Sequence, residues 1–205
     1  MTVAVAGLLL AAGAGRRYGM PKALVVHDGL LLVERGAAAL RDGGCDPVVV
    51  VLGAEAATVQ ERAALTRCVV VLNPDWESGM GSSLRAGLAA VEAVPADAVA
   101  VLLVDTPGIT ADAVARVLTH AGGDASTSHD VLAVATYDGA PGHPVLLGRR
   151  HWAGVAELAV GEAGARAYLV GQAATICVVP CDDIADGTDV DHVPEASGGT
   201  GSIRA

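Results

Sequence analysis

The sequence predicts an α/β domain with a mostly parallel sheet, and three observations lead to this prediction. Runs rich in valine and leucine recur along the chain, for example at residues 47–52 and 98–104, and such continuous apolar runs are typical of strands buried on both faces. Segments with a helical pattern of apolar and polar residues separate these runs. The resulting alternation of strand and helix indicates an α/β sheet.

A single domain accounts for the length and composition. The chain has 205 residues, of which 52% are hydrophobic and 18% charged, and this suits one globular unit with a substantial core. No linker divides the chain, so we predict one domain over residues 1–194 and a flexible tail over residues 195–205. Because phenylalanine is absent, the core must be packed from alanine, valine and leucine on closely approaching elements.

The first half of the chain begins with a leucine-rich strand that stops at the glycine-rich residues 13–19. The elements predicted after it are an extended piece at 24–27, a helix at 31–41, a strand at 47–52, a helix at 54–65 and a strand at 68–72. Gly43 and Gly44 end the first of these helices.

In the second half, Ser82 or Ser83 is expected to cap a helix that runs to about Val94. The strand at 98–104 follows, and Thr110 caps the next helix. The remaining predictions are strands at 131–137 and 144–147 joined by a turn, helices at 149–158 and 163–169, and a strand at 174–180.

The stretch from residue 8 to residue 22 has the composition of an anion-binding loop. Its apolar start gives way to three glycines and three cations: Gly13, Gly15, Gly19, Arg16, Arg17 and Lys22. Glycine lets backbone N–H groups approach an anion closely and adopt positive φ, while the cations neutralise the charge. A polyphosphate is the anion that such a loop would wrap.

Neither standard nucleotide motif fits this stretch. Gly19 falls one position late for a dinucleotide-binding fingerprint, and Gly53 and Ala54 stand where the ribose-binding acid is expected. No window supplies the Gly-Lys-Ser/Thr of a P-loop. Composition therefore predicts the anion site without naming its ligand.

Residues 10–22, LAAGAGRRYGMPK, resemble the L-A-A-G-x-G-x-R-M-G-x-x-K signature of MobA-like NTP transferases, and Tyr18 is the departure from it. These enzymes activate a phosphate or sugar phosphate with an NTP. The resemblance implies a Rossmann-like, three-layer α/β/α domain of the nucleotide-diphospho-sugar transferase type. It also implies a nucleotide-binding set in which Arg17 and Lys22 are catalytic as well: Leu10, Ala11, Ala12, Gly13, Gly15, Arg17 and Lys22.

Residues 73–88 match N-x-x-W-x-x-G-M-x-x-S-L-x-x-G-L without a gap. This pattern resembles the molybdenum cofactor cytidylyltransferase branch of the same family. Glycines on both sides of Met80 keep the loop thin, so that backbone groups and a hydroxyl can reach a flat base. The resemblance implies that Gly79, Met80 and Ser83 line the base, with Ser83 as the hydrogen-bonding side chain.

Asp105 follows the strand at 98–104, and ligands of an open parallel sheet bind at the carboxyl ends of its strands. A carboxylate placed there is a candidate catalytic metal ligand. Asp105-Thr106-Pro107 also resembles the family's Asp-x-Pro. Residues 189–195 resemble a degraded copy of the family's D-I-D-T-P-E-D ending, which implies Asp191, or alternatively Asp189, as the second ligand of Mg²⁺.

Two further motifs resemble the acceptor side of the family's cleft. Gly142-His143-Pro144 is similar to G-H-P-V and implies a substrate contact by His143, although a histidine beside proline in a hairpin is also a common structural residue. Residues 161–166 are similar to G-D-x-G-A-R and imply that Arg166 lies near the acceptor phosphate. A salt-bridged arginine would explain the same residue.

The resemblance implies a Mg²⁺-dependent transfer of a nucleoside monophosphate to the phosphate of molybdopterin, with release of pyrophosphate. CTP is the favoured donor, because Ala11-Ala12-Gly13 resembles the cytidylyl members and guanylyl members carry an extra glycine. The alternatives are transfer to a different phosphorylated acceptor and a nonenzymatic cofactor carrier. A molybdenum hydroxylase apoenzyme is the implied recipient.

Charge and hydropathy limit the other partners. The formal net charge of −10 argues against a general nucleic-acid-binding surface. No stretch is long and uncharged enough to span a bilayer, and the apolar start of the chain lacks the basic residues of a signal peptide. We therefore expect a cytoplasmic protein that binds neither nucleic acid nor membrane.

Overall fold

The computed structural model describes residues 3–121 and 128–190. In these ranges the strands are β1 Val5–Ala11, β2 Val26–His27, β3 Leu30–Leu31, β4 Val48–Leu52, β5 Cys68–Leu72, β6 Ala98–Leu103, β7 Leu132–Tyr137, β8 Ala140–Gly148 and β9 Cys177–Pro180. The helices are α1 Leu32–Asp42, α2 Ala56–Arg62, α3 Met80–Glu92, α4 Ala111–Ala121, α5 Trp152–Leu158 and α6 Arg166–Gly171. None of the helices in these ranges has the length and apolar character needed to cross a membrane. The predicted tail at 195–205 lies outside the described residues.

Seven strands form one sheet in the order β5-β4-β1-β6-β8-β7-β9. Neighbouring strands are parallel except at β8, which runs antiparallel to both β6 and β7. The direction reverses because Asp138 and Gly139, with φ of 49° and 75°, make a two-residue hairpin turn after β7. The prediction of a mostly parallel sheet is confirmed.

Helices cover both faces of the sheet and give the predicted three layers. α1 and α4 pack on one face, and α3 and α5 pack on the other. Within β1, Leu9 faces the first pair and Leu8 faces the second. Gly36 of α1 and Gly87 of α3 allow a close approach, because a β-carbon at Gly36 would come within 2.8 Å of Leu9 and one at Gly87 would overlap Leu8. Small residues at the contacts thus allow the helices to pack tightly on β1.

The position of β1 determines where a ligand can bind. From β1 the chain passes to β4 and β5 on one side and then to β6 on the other. In open α/β sheets the ligand crevice lies at the carboxyl ends of the strands where this reversal occurs. Leu10 of β1 pairs with Leu103 of β6, so the loops that follow these two strands meet at the crevice.

The start of α3 differs from the predicted serine cap. The helix begins at Met80, and its N-cap is Gly79, with φ 109° and ψ 176°. Ser82 and Ser83 lie in the first turn, where the amide of Asn73 donates to both hydroxyls. The prediction of a serine cap was wrong because both hydroxyls bind the side chain of Asn73, which precedes the helix, and a capping pattern considers only the residues at the helix start.

Other boundaries shift by a few residues. Glu55 has φ 49°, so α2 begins only at Ala56. The prediction that Thr110 caps α4 is confirmed, because its Oγ1 accepts a hydrogen bond from the Ala113 N–H at 3.2 Å. Three one-turn 3-10 helices overlap segments that were predicted differently. Lys22–Leu24 reaches the predicted extended piece at 24–27, and Arg149–His151 opens the predicted helix at 149–158. Ala173–Thr175 covers the start of the predicted strand at 174–180.

Candidate active site

The glycine loop, residues 12–21, follows β1 at the switch point. Gly15 has φ 59°, and a β-carbon there would overlap the carbonyl oxygen of Met20, so the turn requires glycine. The Gly19 N–H donates to the Gly15 carbonyl oxygen at 2.8 Å and closes the loop. Gly13 differs, since no atom lies within 4 Å of the place its β-carbon would take. The loop therefore presents bare backbone to open space at Gly13, as a phosphate cradle requires.

Lys22 and Asp105 join the glycine loop to the end of β6. The Lys22 Nζ donates to Asp105 Oδ2 at 2.9 Å, and the two side chains are 15% and 22% exposed. Asp105 Oδ1 is buried and has no hydrogen-bond partner in the described part of the chain. Such an oxygen is costly to leave unpaired, and it fits a cation that prefers oxygen ligands, such as Mg²⁺.

Asn73 organises the first turn of α3. This side chain is buried, and its Nδ2 donates to Ser82 Oγ at 2.8 Å and to Ser83 Oγ at 3.0 Å. Its Oδ1 accepts a hydrogen bond from the Asp75 N–H at 3.0 Å. Ser83 lines the cleft, and because its Oγ accepts from Asn73, its own hydroxyl proton is available to donate to a ligand. The sequence pattern contains Asn73, but its role as the support of Ser83 emerges only in three dimensions.

The loop around Gly79 is clamped to the loop that follows α5. The Gly81 N–H donates to the Gly161 carbonyl oxygen at 2.8 Å. A β-carbon at Gly79 would overlap Gly161, and one at Gly81 would stand 2.5 Å from the Ala159 carbonyl. These glycines are therefore explained by contact between two loops, in addition to the thin approach to a base that the sequence suggested. The contact brings Glu162 to the cleft wall.

A cleft of about 350 Å³ lies over the carboxyl ends of β1 and β6. The residues that were predicted for the site and line this cleft are Leu10, Ala12, Gly13, Gly15, Arg17, Lys22, Gly79, Met80, Ser83 and Asp105. Arg16, one of the three predicted cations of the loop, also lines the cleft, and lining residues without a predicted role include Tyr18, Trp76, Glu77 and Glu162. Cations of the glycine loop thus stand in the same cleft as the carboxylates of the loops around Gly79 and Gly161.

Ala11, His143 and Arg166 are not among the residues that line the cleft. Ala11 is buried at the end of β1, where it pairs with Leu52 of β4. Arg166 is exposed at the start of α6, and Glu162 of the same motif lines the cleft instead. The motif begins at Gly161, where φ is 58°.

His143 contacts β6, the strand that precedes Asp105. Its Nδ1 is 3.2 Å from the carbonyl oxygen of Val101, a residue of β6. Burial lowers the pKa of His143 below its ordinary value and outweighs the opposing effects of this hydrogen bond and of Asp105. The imidazole is accordingly neutral near pH 7.

The segment after β9 returns to Asp105. This return segment, residues 181–190, ends with the Val190 N–H donating to the Asp105 carbonyl oxygen at 2.8 Å. Asp189 is exposed next to that contact, whereas Asp191 lies outside the described residues. Within those residues, no group of three or more His, Cys, Asp or Glu side chains could by itself hold a metal ion.

Comparison with protein-family models matches residues 7–176 to the MobA-like NTP transferase domain. Among curated proteins, the chain is 41% identical to the nicotine blue oxidoreductase of Paenarthrobacter nicotinovorans, over 93% of this chain and 94% of that protein. It is 36% identical to the probable molybdenum cofactor guanylyltransferase of Opitutus terrae, over 53% of this chain and 51% of that protein.

Solved structures share the fold. The Mycobacterium sp. strain JC1 homologue of Mycobacterium tuberculosis Rv0371c superposes with a TM-score of 0.74 and 31% identity, over 92% of this chain and 90% of that one. Rv0371c of M. tuberculosis H37Rv in complex with manganese gives a TM-score of 0.69 and 23% identity, over 87% and 89% of the two chains. These likenesses agree with a Rossmann-like domain of the nucleotide-diphospho-sugar transferase type.

Proposed function

This chain belongs to the MobA-like NTP transferase domain family, and on that premise we propose that it transfers a nucleoside monophosphate from an NTP to the phosphate of a molybdopterin-type acceptor. A bond forms between the acceptor phosphate and the α-phosphate, and the bond to the departing pyrophosphate breaks. The observation that carries the proposal is the Lys22–Asp105 pair at the switch point, with Asp105 Oδ1 lacking a partner among the described residues.

Charge neutralisation is the main task of such a site, because the attacking group is already an oxyanion. Two unit charges about 4 Å apart interact by roughly 4 kcal/mol at an effective dielectric near 20, and a phosphate that approaches a triphosphate multiplies this repulsion. We assign the backbone of the glycine loop, with Arg17 and Lys22, to the β- and γ-phosphates and to the departing pyrophosphate. The chemistry therefore needs no covalent nucleophile from the protein.

We propose that Asp105 holds Mg²⁺ together with Asp191, or with Asp189 as the alternative. Magnesium prefers oxygen ligands and keeps several waters, so few protein carboxylates suffice. When bound, the metal would neutralise charge on the reacting phosphates. Two observations support this assignment: Asp105 Oδ1 has no hydrogen-bond partner among residues 3–121 and 128–190, and Val190 is attached to the Asp105 main chain. The manganese complex of Rv0371c supports a divalent metal in the same fold.

The donor base is proposed to be cytosine. The support is the Ala11-Ala12-Gly13 sequence, which leaves less room than the additional glycine of guanylyl members. Similarity to a protein named as a probable guanylyltransferase makes GTP the competing donor. We assign base contacts to Gly79, Met80 and Ser83, with the Ser83 hydroxyl as hydrogen-bond donor.

The acceptor side rests on fewer observations. His143 and Arg166 stay predicted acceptor contacts, and we add Glu162, whose carboxylate lines the cleft and can accept hydrogen bonds from the N–H groups of a pterin ring. A molybdenum hydroxylase apoenzyme as recipient and a cytoplasmic location complete the proposal. A different phosphorylated acceptor would use the same phosphate site.

A pyrophosphate-release assay tests the reaction. Purified protein is incubated with Mg²⁺, molybdopterin and each of CTP, GTP, UTP and ATP in turn. We expect release that requires both molybdopterin and CTP. Release with molybdopterin and GTP, but not with molybdopterin and CTP, would overturn the base assignment. Binding of molybdopterin without pyrophosphate release from any NTP would favour a nonenzymatic cofactor carrier.

A second candidate function is oxidation–reduction of a compound such as nicotine blue. The observation that favours it is the 41% identity to nicotine blue oxidoreductase over nearly the whole of both chains. The poor fit of the glycine loop to a dinucleotide fingerprint argues against it. An absorbance assay of nicotine blue with NADH or NADPH, in the absence of any NTP, distinguishes the two functions. Turnover of nicotine blue together with no pyrophosphate release in the first assay would favour the oxidoreductase.

A further inference from the structure

We propose that Arg116 is a positioning residue for the metal-binding edge of the cleft, because it fastens the return segment that brings Asp189 and Val190 to Asp105. This inference rests on the metal dependence of the proposed function. Arg116 belongs to α4 and does not line the cleft. Its effect on the site would be exerted through the return segment.

The return segment spans the second half of the sheet. It leaves β9, the outermost strand, and ends at Asp105, two residues after β6, with β7 and β8 between these two strands. Three strand spacings of about 4.8 Å correspond to roughly 14 Å. Where Asp189 lies relative to Asp105 therefore depends on how this segment is held along its course.

Arg116 binds the beginning of the return segment. Its Nη1 donates to the carbonyl oxygen of Pro180, the last residue of β9, at 3.0 Å. The same guanidinium binds both carboxylate oxygens of Asp183, with Nη2 to Oδ2 at 2.9 Å. This pairing lowers the pKa of the Asp183 carboxyl, so the ion pair persists at neutral pH. One side chain of α4 thus joins the end of β9 to the first turn of the return segment.

The middle of the segment lies directly on the residues that follow Asp105. The Thr110 hydroxyl donates to the Ile184 carbonyl oxygen at 3.1 Å, and the Asp186 N–H donates to the Gly108 carbonyl oxygen at 3.2 Å. A β-carbon at Gly108 would overlap Asp186. The path from Arg116 to Asp105 is therefore a continuous series of contacts between the segment and residues 105–110.

An ion pair at the surface adds little to global stability, and Asp183 is largely exposed. Opening of a single segment costs less free energy than global unfolding. The same ion pair is therefore a larger share of the free energy that keeps the return segment attached than of the free energy of global unfolding. Loss of Arg116 should raise the population in which the segment is open. In that population Asp189 is not held at Asp105, and metal affinity falls in proportion.

The test measures Mn²⁺ binding in the absence of nucleotide, by calorimetry or by electron paramagnetic resonance. Arg116→Ala and Asp183→Ala are expected to raise the Mn²⁺ Kd about 2- to 5-fold, the change in an opening equilibrium that loss of one surface ion pair can produce, with Tm nearly unchanged. The exchange Arg116→Asp with Asp183→Arg should restore part of the affinity. Exchange of the Val190 amide hydrogen should accelerate in both single variants.

Arg150→Ala is the matched control, because Arg150 forms a comparable surface pair with Asp130, at 2.6 Å, away from the return segment. Its Mn²⁺ Kd should equal that of the wild type. Unchanged Kd in Arg116→Ala and Asp183→Ala, or weaker binding that follows a loss of Tm, would overturn the positioning role alone. Wild-type protein that binds no Mn²⁺ would overturn both this inference and the metal role in the proposed function.

Discussion

The Nζ of Lys22 lies 2.9 Å from Oδ2 of Asp105, while Oδ1 of the same carboxylate is buried without a partner in the described residues. The two oxygens of this side chain thus differ in whether they have a hydrogen-bond partner among those residues. One holds the glycine loop to the end of β6, and the other is available to a cation. This asymmetry distinguishes Asp105 from a carboxylate that merely completes an ion pair.

Asp105→Asn should abolish metal-dependent turnover. The amide keeps the shape of the carboxylate but removes the charge, so we expect pyrophosphate release to fall by at least about 100-fold, a loss typical of electrostatic groups at a transition state. Mn²⁺ binding should weaken in the same variant. Asp42→Asn on α1, an exposed carboxylate paired with Arg41, serves as control and should retain both. Intact magnesium-dependent turnover in Asp105→Asn would remove the metal assignment.

Two alanine substitutions in the glycine loop should affect different properties, one the stability of the protein and the other its affinity for NTP. Gly15→Ala places a β-carbon against the Met20 carbonyl at positive φ, which costs about 1–3 kcal/mol and should lower Tm. Gly13→Ala meets no protein atom within 4 Å and should leave Tm unchanged while raising the KM for NTP. Thermal unfolding and steady-state kinetics separate the two. A wild-type KM in Gly13→Ala would argue against close approach of phosphate to this backbone.

Asn73→Ala should weaken NTP binding and stability together. The substitution leaves the Ser82 and Ser83 hydroxyls without their buried donor, a loss of about 1–3 kcal/mol. Ser83→Ala is the matched comparison, because it removes the cleft hydroxyl and keeps the Asn73–Ser82 hydrogen bond of 2.8 Å. We expect Ser83→Ala to raise the KM for NTP with a smaller fall in Tm. Equal KM values for Ser83→Ala and the wild type would exclude the hydroxyl from base recognition.

His143 should make the folded state sensitive to acid. Burial lowers its pKa in the folded protein, whereas the unfolded chain binds the proton near pH 6.5. The unfolded state therefore binds more protons as pH falls from 6.5 through the folded pKa, and stability is lost in that window. Tm measured against pH should fall more steeply for the wild type than for His143→Gln. His27→Gln, at a half-buried histidine of β2, is the control for removal of a different imidazole, and parallel curves for the wild type and His143→Gln would contradict the prediction.

Much of the NTP side of the cleft follows from local sequence. Continuous apolar runs mark buried parallel strands, and the loops after them reach the carboxyl edge of the sheet, so the sequence alone suffices to bring the glycine loop and Asp105 together. The acceptor side could not be assigned in this way. Arg166 and Glu162 belong to one short motif, and only Glu162 of these two lines the cleft, a distinction that the motif itself does not encode.

Long-range contacts account for the remaining differences. The hydrogen bond from Val190 to Asp105 joins residues that are far apart in sequence, and no periodicity predicts it. From the sequence, Asn73 is likewise predicted to be only a loop residue, although its side chain donates hydrogen bonds to two serines of the next helix. Such roles arise from the packing of separate elements, which local propensity does not encode.

The close contacts at Gly36 and Gly87 restrict how this cleft can close. A strand pressed by a helix on each face, with no β-carbon between them, cannot slide or tilt without displacing α1 and α3 as well. The firm support of β1 thus leaves residues 12–21 as the part of the phosphate side that can adjust to a ligand. On the opposite wall, the hydrogen bond from the Gly81 N–H to the Gly161 carbonyl oxygen joins the loop before α3 to the loop after α5, so a displacement of one loop would also displace the other.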